Sequence, residues 1–383
     1  MRVCIAYDCL FPWTVGGAER WYRNLAERLA AEGHEVTYIT RLQWSAGDAP
    51  RLPGVRIVAV SPAEPLYGPD GNRTIGEPLR YGRGVLGHLL RHGRRYDVVH
   101  MASFPYFSVL AAAAARPLGG FSLVVDWHEL WSARYWHDYL GGVRGAVGRL
   151  VQRACARVPH RAFCFSRLHR DRLLAEGFRG EVTVLEGEYA GDLTPPAPNE
   201  AEPLVVFAGR HIAEKRAPAV VPAVMRARSA IAGLRGVVFG DGPQRPDVLR
   251  AIAEHAAEGV VEAPGFVDAE RIDAALRSAL CMLLPSSREG YGLIVVEAAA
   301  RGTPSVVVAG EDNAAVELVA EGRNGTVAPS AAPEDLAAAI ARVHEGGPAL
   351  RAATCAWFAA NAERLSLERS LGRVVASYYR GRP

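Results

Sequence analysis

Short apolar runs alternate with segments of helical period along most of this chain, and no other feature limits its fold so strongly. Strands buried on both faces and separated by helices assemble as parallel β-α-β units. In the first half the strand candidates are "RVCIAYD", "EVTYIT", "VRIVAVS", "DVVHMAS", "SLVVDW", "RAFCFS" and "VTVLEG", with helices between them, for example over 19–32 and 144–157. The second half offers "LVVFAG", "LRGVVFGDG", "GVVEAPGF", "CMLLPSS" and "TPSVVVAG", and after Pro333 it reads as helix to the end. Between the halves, "GDLTPPAPNEAEP" is dense in proline and acidic residues, as linkers are. The expected fold is therefore α/β, two doubly wound domains: 1–193, a linker at 194–203, 204–362, and a helix over 363–383 packing back on the first domain. A length of 383 residues suits two domains of about 180 residues each. In such sheets ligands bind beyond the carboxyl ends of strands, and two domains facing each other leave a cleft for a site.

Several classes are disfavoured. Neither half has a GxGxxG turn after its first strand, and "GRGVLG" at 82–87 follows no strand, which argues against a dinucleotide dehydrogenase. A net charge of +3 is too small for a nucleic-acid partner. Six scattered cysteines (Cys4, Cys9, Cys155, Cys164, Cys281, Cys355) form no CxxC pair or zinc spacing and read as reduced core residues of a cytoplasmic protein. The N-terminus is too short and polar for a signal peptide. No apolar stretch reaches the ~18 residues of a membrane span; the alanine-rich "SVLAAAAARPLGG" is expected to be a helix ended by Pro117 and Gly119.

The most specific stretch is "PSSREGYGLIVVEAAARGTPSVV", residues 285–307. Its "GYG" reads as a turn and "LIVVEAAARG" as a helix terminated by Gly302 and Pro304. Glycines let a backbone approach a ligand closely, and free amides at a helix start attract an anion. Glu289 precedes those amides and Glu297 lies one to two turns into the helix, an arrangement suited to a polyhydroxylated anion. A helix capped by its own acidic residue is the plainer alternative. A second signal is "GRHIAEKRAP", which contains the single lysine of the chain, Lys215, five residues after Arg210. An ammonium is a compact point charge where a guanidinium is a planar fork, so the two are not interchangeable against a phosphate oxygen.

These motifs resemble the retaining glycosyltransferases of family 4, whose GT-B fold sets two Rossmann-like domains facing each other across an interdomain cleft. The resemblance covers nearly the whole chain. It implies that Glu289 contacts the donor sugar, that Glu297 holds the ribose hydroxyls, and that the backbone of Gly290, Tyr291, Gly292 and Leu293 meets the sugar and distal phosphate. Family members more often have Phe at the Tyr291 position. "AGRHIAEKR" is similar to the family's Gly-Arg and lysine that clamp the leaving diphosphate, which gives Arg210 and Lys215 that role. "FPWTVGGAERWYRNLAERLAAEGHEV" resembles the N-terminal Gly-Gly loop, so Gly16 and Gly17 would meet the donor diphosphate or admit the acceptor, while Glu19 reads as a first-turn helix acid. "LVVDWHELW" places His128 where the family has a histidine near the donor sugar, with Asp126 orienting it or starting the loop. "APGFVDAERI" resembles the segment whose backbone reads the base, here Gly265, Phe266 and Val267. The family's "PNG" is replaced by "LEGEYAGD", leaving open what Glu186 and Glu188 do.

Trp127, Trp131 and Tyr135 recur with Tyr139 every four residues, either a core stripe or a stacking surface for an acceptor. The basic run at 80–97 is either a solvated helix face or a contact with an anionic membrane surface. The implied reaction moves a glycosyl group from a nucleotide-diphosphate sugar, UDP before GDP, to an acceptor hydroxyl on a lipid, glycan or small metabolite. Retention of the anomer is expected, with no metal and no cofactor beyond the co-substrate. A sugar-nucleotide epimerase, which acts on donor alone, and a non-catalytic nucleotide-sugar-binding protein are the rival readings.

Overall fold

The computed structural model describes residues 1–379 apart from 46, 65, 67–75 and 198. The chain divides into two compact units, one formed by residues 1–186 together with 370–383, the other by 187–369. The linker expected at 194–203 thus lies inside the second unit; its Pro198, and the last four residues of the expected final helix, fall outside the described residues.

Unit 1 is built on seven strands, β1 (Arg2–Ala6), β2 (Glu35–Arg41), β3 (Val55–Ser61), β4 (Val98–Ala102), β5 (Ser122–Trp127), β6 (Arg161–Cys164) and β7 (Val182–Val184). All pair in parallel, in the order β3-β2-β1-β4-β5-β6-β7. Its helices are α1 (Gly17–Ala31), α2 (Gly76–His92), α3 (Tyr106–Gly119), α4 (Ala133–Leu140), α5 (Gly142–Arg157) and α6 (Arg167–Ala175). β4 is buried at every position, as a central parallel strand covered on both faces must be. Helix α3 runs through Pro117 and stops at Gly120, whose φ of 73° supplies the left-handed C-cap; a proline near a helix end costs little when the turn it would disrupt is the last.

Unit 2 contains β8 (Glu202–Ala208), α7 (Val220–Ala227), β9 (Arg235–Phe239), α8 (Arg245–Glu254), β10 (Val261–Gly265), α9 (Ala269–Ser278), β11 (Ala279–Leu284), β12 (Arg288–Glu289), α10 (Leu293–Ala299), β13 (Ser305–Val308), β14 (Asp312–Asn313), β15 (Gly325–Ala328) and α11 (Pro333–Leu365). Six of its strands form a parallel sheet in the order β10-β9-β8-β11-β13-β15. β12 and β14 make a separate two-stranded ladder that pairs Arg288 with Asp312 and Glu289 with Asn313. The helix expected after Pro333 is broken: Gly347 has φ 49° and ψ −143°, and a second helix, α12 (Leu367–Tyr378), follows Ser366.

From residue 370 onward α12 belongs to unit 1. The Tyr378 hydroxyl is hydrogen-bonded to His100 Nδ1 on β4 (2.5 Å), Arg373 reaches the carbonyl of Val184, and Arg161 reaches that of Ser377. The six cysteines are free and buried. No helix among the described residues is long and apolar enough to cross a membrane.

Candidate active site

In unit 2 the order of strands reverses between β8 and β11, because β9 and β10 lie on one side of that pair and β13 and β15 on the other. Loops leaving two strands beside such a reversal diverge to opposite faces and open a crevice at their carboxyl ends. The loop after β8 carries Arg210 and Lys215; the loop after β11 carries Glu289. Lys215 and Glu289, 74 residues apart, consequently meet: Nζ lies 2.6 and 2.7 Å from the two carboxylate oxygens. The Lys215 side chain is 22% exposed and that of Glu289 only 7%.

The preceding residue on each loop reinforces this meeting. Arg288 donates to Glu214 at 3.0 Å, and the Ser287 amide donates to the Glu214 carbonyl at 2.8 Å. Neither Glu214 nor Arg288 carries a role expected from the sequence; their adjacency to Lys215 and Glu289 is the signal that points to them. Arg216, after Lys215, holds a left-handed φ of 50°, a conformation costing an L-residue about 1 kcal/mol. Strain of that kind persists only where surrounding contacts over-determine the loop. Arg210 is exposed on the same loop.

The "GYG" turn begins α10. Gly292 is its N-cap with φ 99°, and a Cβ there would lie 2.6 Å from the Ala315 Cβ, so only glycine fits. Tyr291 is buried, while Gly290, Leu293 and Glu297 are half-buried. The Glu297 carbonyl accepts from Arg301. Gly265, the last residue of β10, is buried with φ 88°; beyond it Val267 is half-buried and Phe266 is 79% exposed. Arg245 lies against Gly265, donating to the Ala263 carbonyl at 3.0 Å.

In unit 1 the reversal falls between β1 and β4. Gly16, extended at φ −173°, caps α1, and a Cβ on it would meet a Glu19 carboxylate oxygen at 2.3 Å; a Cβ on Gly17 would meet nothing. Glu19 is buried in the first turn, where the helix dipole favours an anion. His128 follows β5. Its ring stacks on Phe165 (centroids 4.2 Å, 11° apart) and meets the edge of Tyr22 at 5.8 Å. Burial pushes its pKa down to about 4 against the opposing pull of Asp126, so the imidazole is neutral near pH 7.

Asp126 is fully buried with His100 Nε2 at 2.7 Å and the Trp21 indole N–H at 2.8 Å. Burial alone would raise its pKa, but His100 in contact, then His128 and Trp21, outweigh that and hold the carboxyl below its usual range. His100 thus has Asp126 in contact on its Nε2 side and the Tyr378 hydroxyl 2.5 Å from its Nδ1. Asp126 therefore organises a buried polar chain from α1 to α12 beneath the His128 loop.

The four-residue aromatic repeat does not form one stripe. Trp127 ends β5, is fully buried, and donates its indole N–H to His160 at 3.0 Å; of the two sequence readings it follows the core one, and the acceptor contact expected of it is corrected, since it presents no face to an acceptor. Trp131 lies in the loop before α4, donating to Glu129, and Tyr135 is on α4; both are half-buried. They form with Tyr139 a cluster of rings 4.8–5.8 Å apart.

Two family models match. Residues 16–186 match the glycosyl transferase 4-like domain, and residues 194–361 match the glycosyl transferases group 1. The chain belongs to the family 4 glycosyltransferases. It is similar to a glycogen synthase of Mycobacterium tuberculosis, 27% identical over 358 residues that cover 87% of this chain and 82% of that one. Among solved structures, sucrose-phosphate synthase from Thermosynechococcus elongatus matches with a TM-score of 0.78 at 19% identity, covering 99% of this chain and 98% of the other. An Anabaena protein in complex with UDP and glucose matches with a TM-score of 0.71 at 14% identity, covering 98% and 99%. This glycosyltransferase has the GT-B fold, each unit supplying one parallel-sheet Rossmann-like domain, and is an enzyme of the hexosyltransferase type.

Proposed function

We infer that the chain moves a hexosyl group from a nucleotide-diphosphate sugar, UDP-linked before GDP-linked, to an acceptor hydroxyl with retention of the anomer and without a metal. The observation that carries this reading is the Lys215–Glu289 pair beside the strand reversal of unit 2. An ammonium has three N–H donors, and Glu289 takes two. The third is left for a phosphate oxygen, so one lysine serves the diphosphate and fixes the carboxylate that meets the sugar.

In this reading Arg210 and Lys215 meet the negative charge that grows on the leaving diphosphate, the service a divalent cation performs elsewhere. Glu297 holds the ribose hydroxyls, the backbone at 290–293 meets the sugar and distal phosphate, and the backbone at 265–267 reads the base. In unit 1, neutral His128 can accept or donate one hydrogen bond to a sugar hydroxyl, and the Gly16–Gly17 turn can admit a phosphate or the acceptor. The bond from the anomeric carbon to the diphosphate oxygen breaks and the bond to the acceptor oxygen forms on the same face. The acceptor proton passes to the departing phosphate oxygen. The UDP preference rests on the solved neighbour that holds UDP and glucose; the acceptor is a lipid, a glycan or a small metabolite, and the protein works in the cytoplasm.

A thermal-shift panel of nucleotide sugars, followed by product analysis with the stabilising donor, tests the reading. Stabilisation by a UDP-sugar and α-product from an α-linked donor are expected. An inverted product, or conversion of the donor to its epimer without acceptor, overturns it.

A further inference from the structure

Helix α5, "GVRGAVGRLVQRACAR", carries four arginines (Arg144, Arg149, Arg153, Arg157) and no acidic residue. One face is set by glycine. A Cβ at Gly145 would lie 2.4 Å from the Trp136 carbonyl oxygen, and one at Gly148 would lie 2.3 Å from the Trp136 ring, so α5 is pressed against α4 along that side. The opposite side is left with Val143, Val147 and Leu150, which are 82%, 55% and 66% exposed, and with exposed Ala154. Their spacing of four, three and four residues is one continuous helical stripe. A stripe of large apolar side chains in water, rimmed by cations, marks a surface made for something else.

The other basic segment behaves differently. On α2 the apolar residues Tyr81, Val85 and Leu89 are buried against the core, leaving Leu79 and Leu90 outside. The run at 80–97 therefore covers its own domain, as a solvated helix face does, whereas α5 does not cover itself.

We propose that α5 is a docking helix that lies in the surface of an anionic lipid bilayer. The charge decides the occupant. A second copy of this chain meeting the stripe about a two-fold axis would bring arginine against arginine, whereas an anionic surface attracts all of them. Glu176 neutralises part of this charge, at 2.9 Å from Arg153 and 3.5 Å from Arg149; exposed Arg144 and Arg157 stand beyond it. This inference is independent of the donor chemistry proposed above.

The test is co-sedimentation of the full chain with vesicles of phosphatidylcholine alone and of phosphatidylcholine mixed with phosphatidylglycerol. Wild type is expected to pellet with the mixed vesicles, less so as salt is raised, and not with phosphatidylcholine alone. Leu150→Glu and Val147→Glu should lower the bound fraction about tenfold or more without shifting Tm, because both side chains are already in water. Leu90→Glu on α2 should bind as wild type. The proposal is overturned if wild type ignores the mixed vesicles, if Leu150→Glu binds equally well, or if Leu90→Glu is the variant that fails. Concentration-dependent dimers abolished by Leu150→Glu, with no vesicle binding, would assign the stripe to self-association and also overturn it.

Discussion

The Lys215 ammonium is held by both carboxylate oxygens of Glu289, at 2.6 and 2.7 Å, across 74 residues of chain. Neither residue needs the other for local structure. They meet because the strands preceding their loops are neighbours at the point where the sheet reverses order. The pair separates two kinds of damage. Lys215→Ala should leave Glu289 a nearly buried, unpaired carboxylate and cost about 3 kcal/mol of stability, together with a loss of roughly a hundredfold or more in donor-saturated turnover. The double variant Lys215→Ala/Glu289→Gln should recover most of the lost Tm and none of the turnover. Near-normal turnover in the single variant would contradict the role given to Lys215.

Gly292→Ala should disable donor binding by disturbing the backbone. Its φ of 99° strains any L-residue by about 1 kcal/mol, and the clash with Ala315 adds about 1–3 kcal/mol more. A lowered Tm and loss of the thermal shift with UDP are expected; a variant that binds UDP as wild type does would show the turn to be adaptable.

Tyr378→Phe removes one hydroxyl and leaves buried His100 Nδ1 without that partner, at a cost of about 1–3 kcal/mol. Faster hydrogen exchange should appear in β4 and β5 while β8 and β11 in unit 2 keep their protection. A uniform change across both units would contradict this assignment.

Acid should weaken unit 1. Burial holds His88, His128 and His160 at pKa values of about 4, below the ordinary 6.5 they regain on unfolding. Above pH 6.5 neither state binds these protons and stability is level. As pH falls from about 6.5 to 4 the unfolded chain takes up protons the native one refuses, so stability declines, by about 1.4 kcal/mol per pH unit for each fully titrating group. Denaturation midpoints across that range should fall with decreasing pH, and His160→Gln should flatten the curve. An unchanged midpoint down to pH 4 would refute the burial argument.

Much of this was legible along the chain. Strands buried on both faces announce themselves as unbroken apolar runs, and the major strands up to β13 fall on such runs. The lone lysine and the two glutamates stood out because phosphate and sugar chemistry restricts residue type. What escaped notice depended on contacts between distant segments. The spacing of Trp127, Trp131, Tyr135 and Tyr139 suggested one helix face, yet a strand end, a loop and a helix share those positions, and periodicity alone does not reveal where an element stops. β15, "GTVA", is too short and too mixed to signal burial; it is a strand because β13 offers it an edge. Nothing local links Tyr378 to His100, 278 residues earlier. The exposure of Val143, Val147 and Leu150 was also invisible, since an apolar residue reads the same whether or not its domain covers it.

The return of residues 370–379 to unit 1 makes that unit discontinuous along the chain. Residues 1–186 by themselves lack the contacts that α12 brings to β4, β6 and β7 through Tyr378, Ser377 and Arg373. A fragment cut at residue 186 would therefore carry a sheet whose His100 waits for a hydroxyl held on a separate piece, and a peptide spanning 367–379 added in trans should restore it.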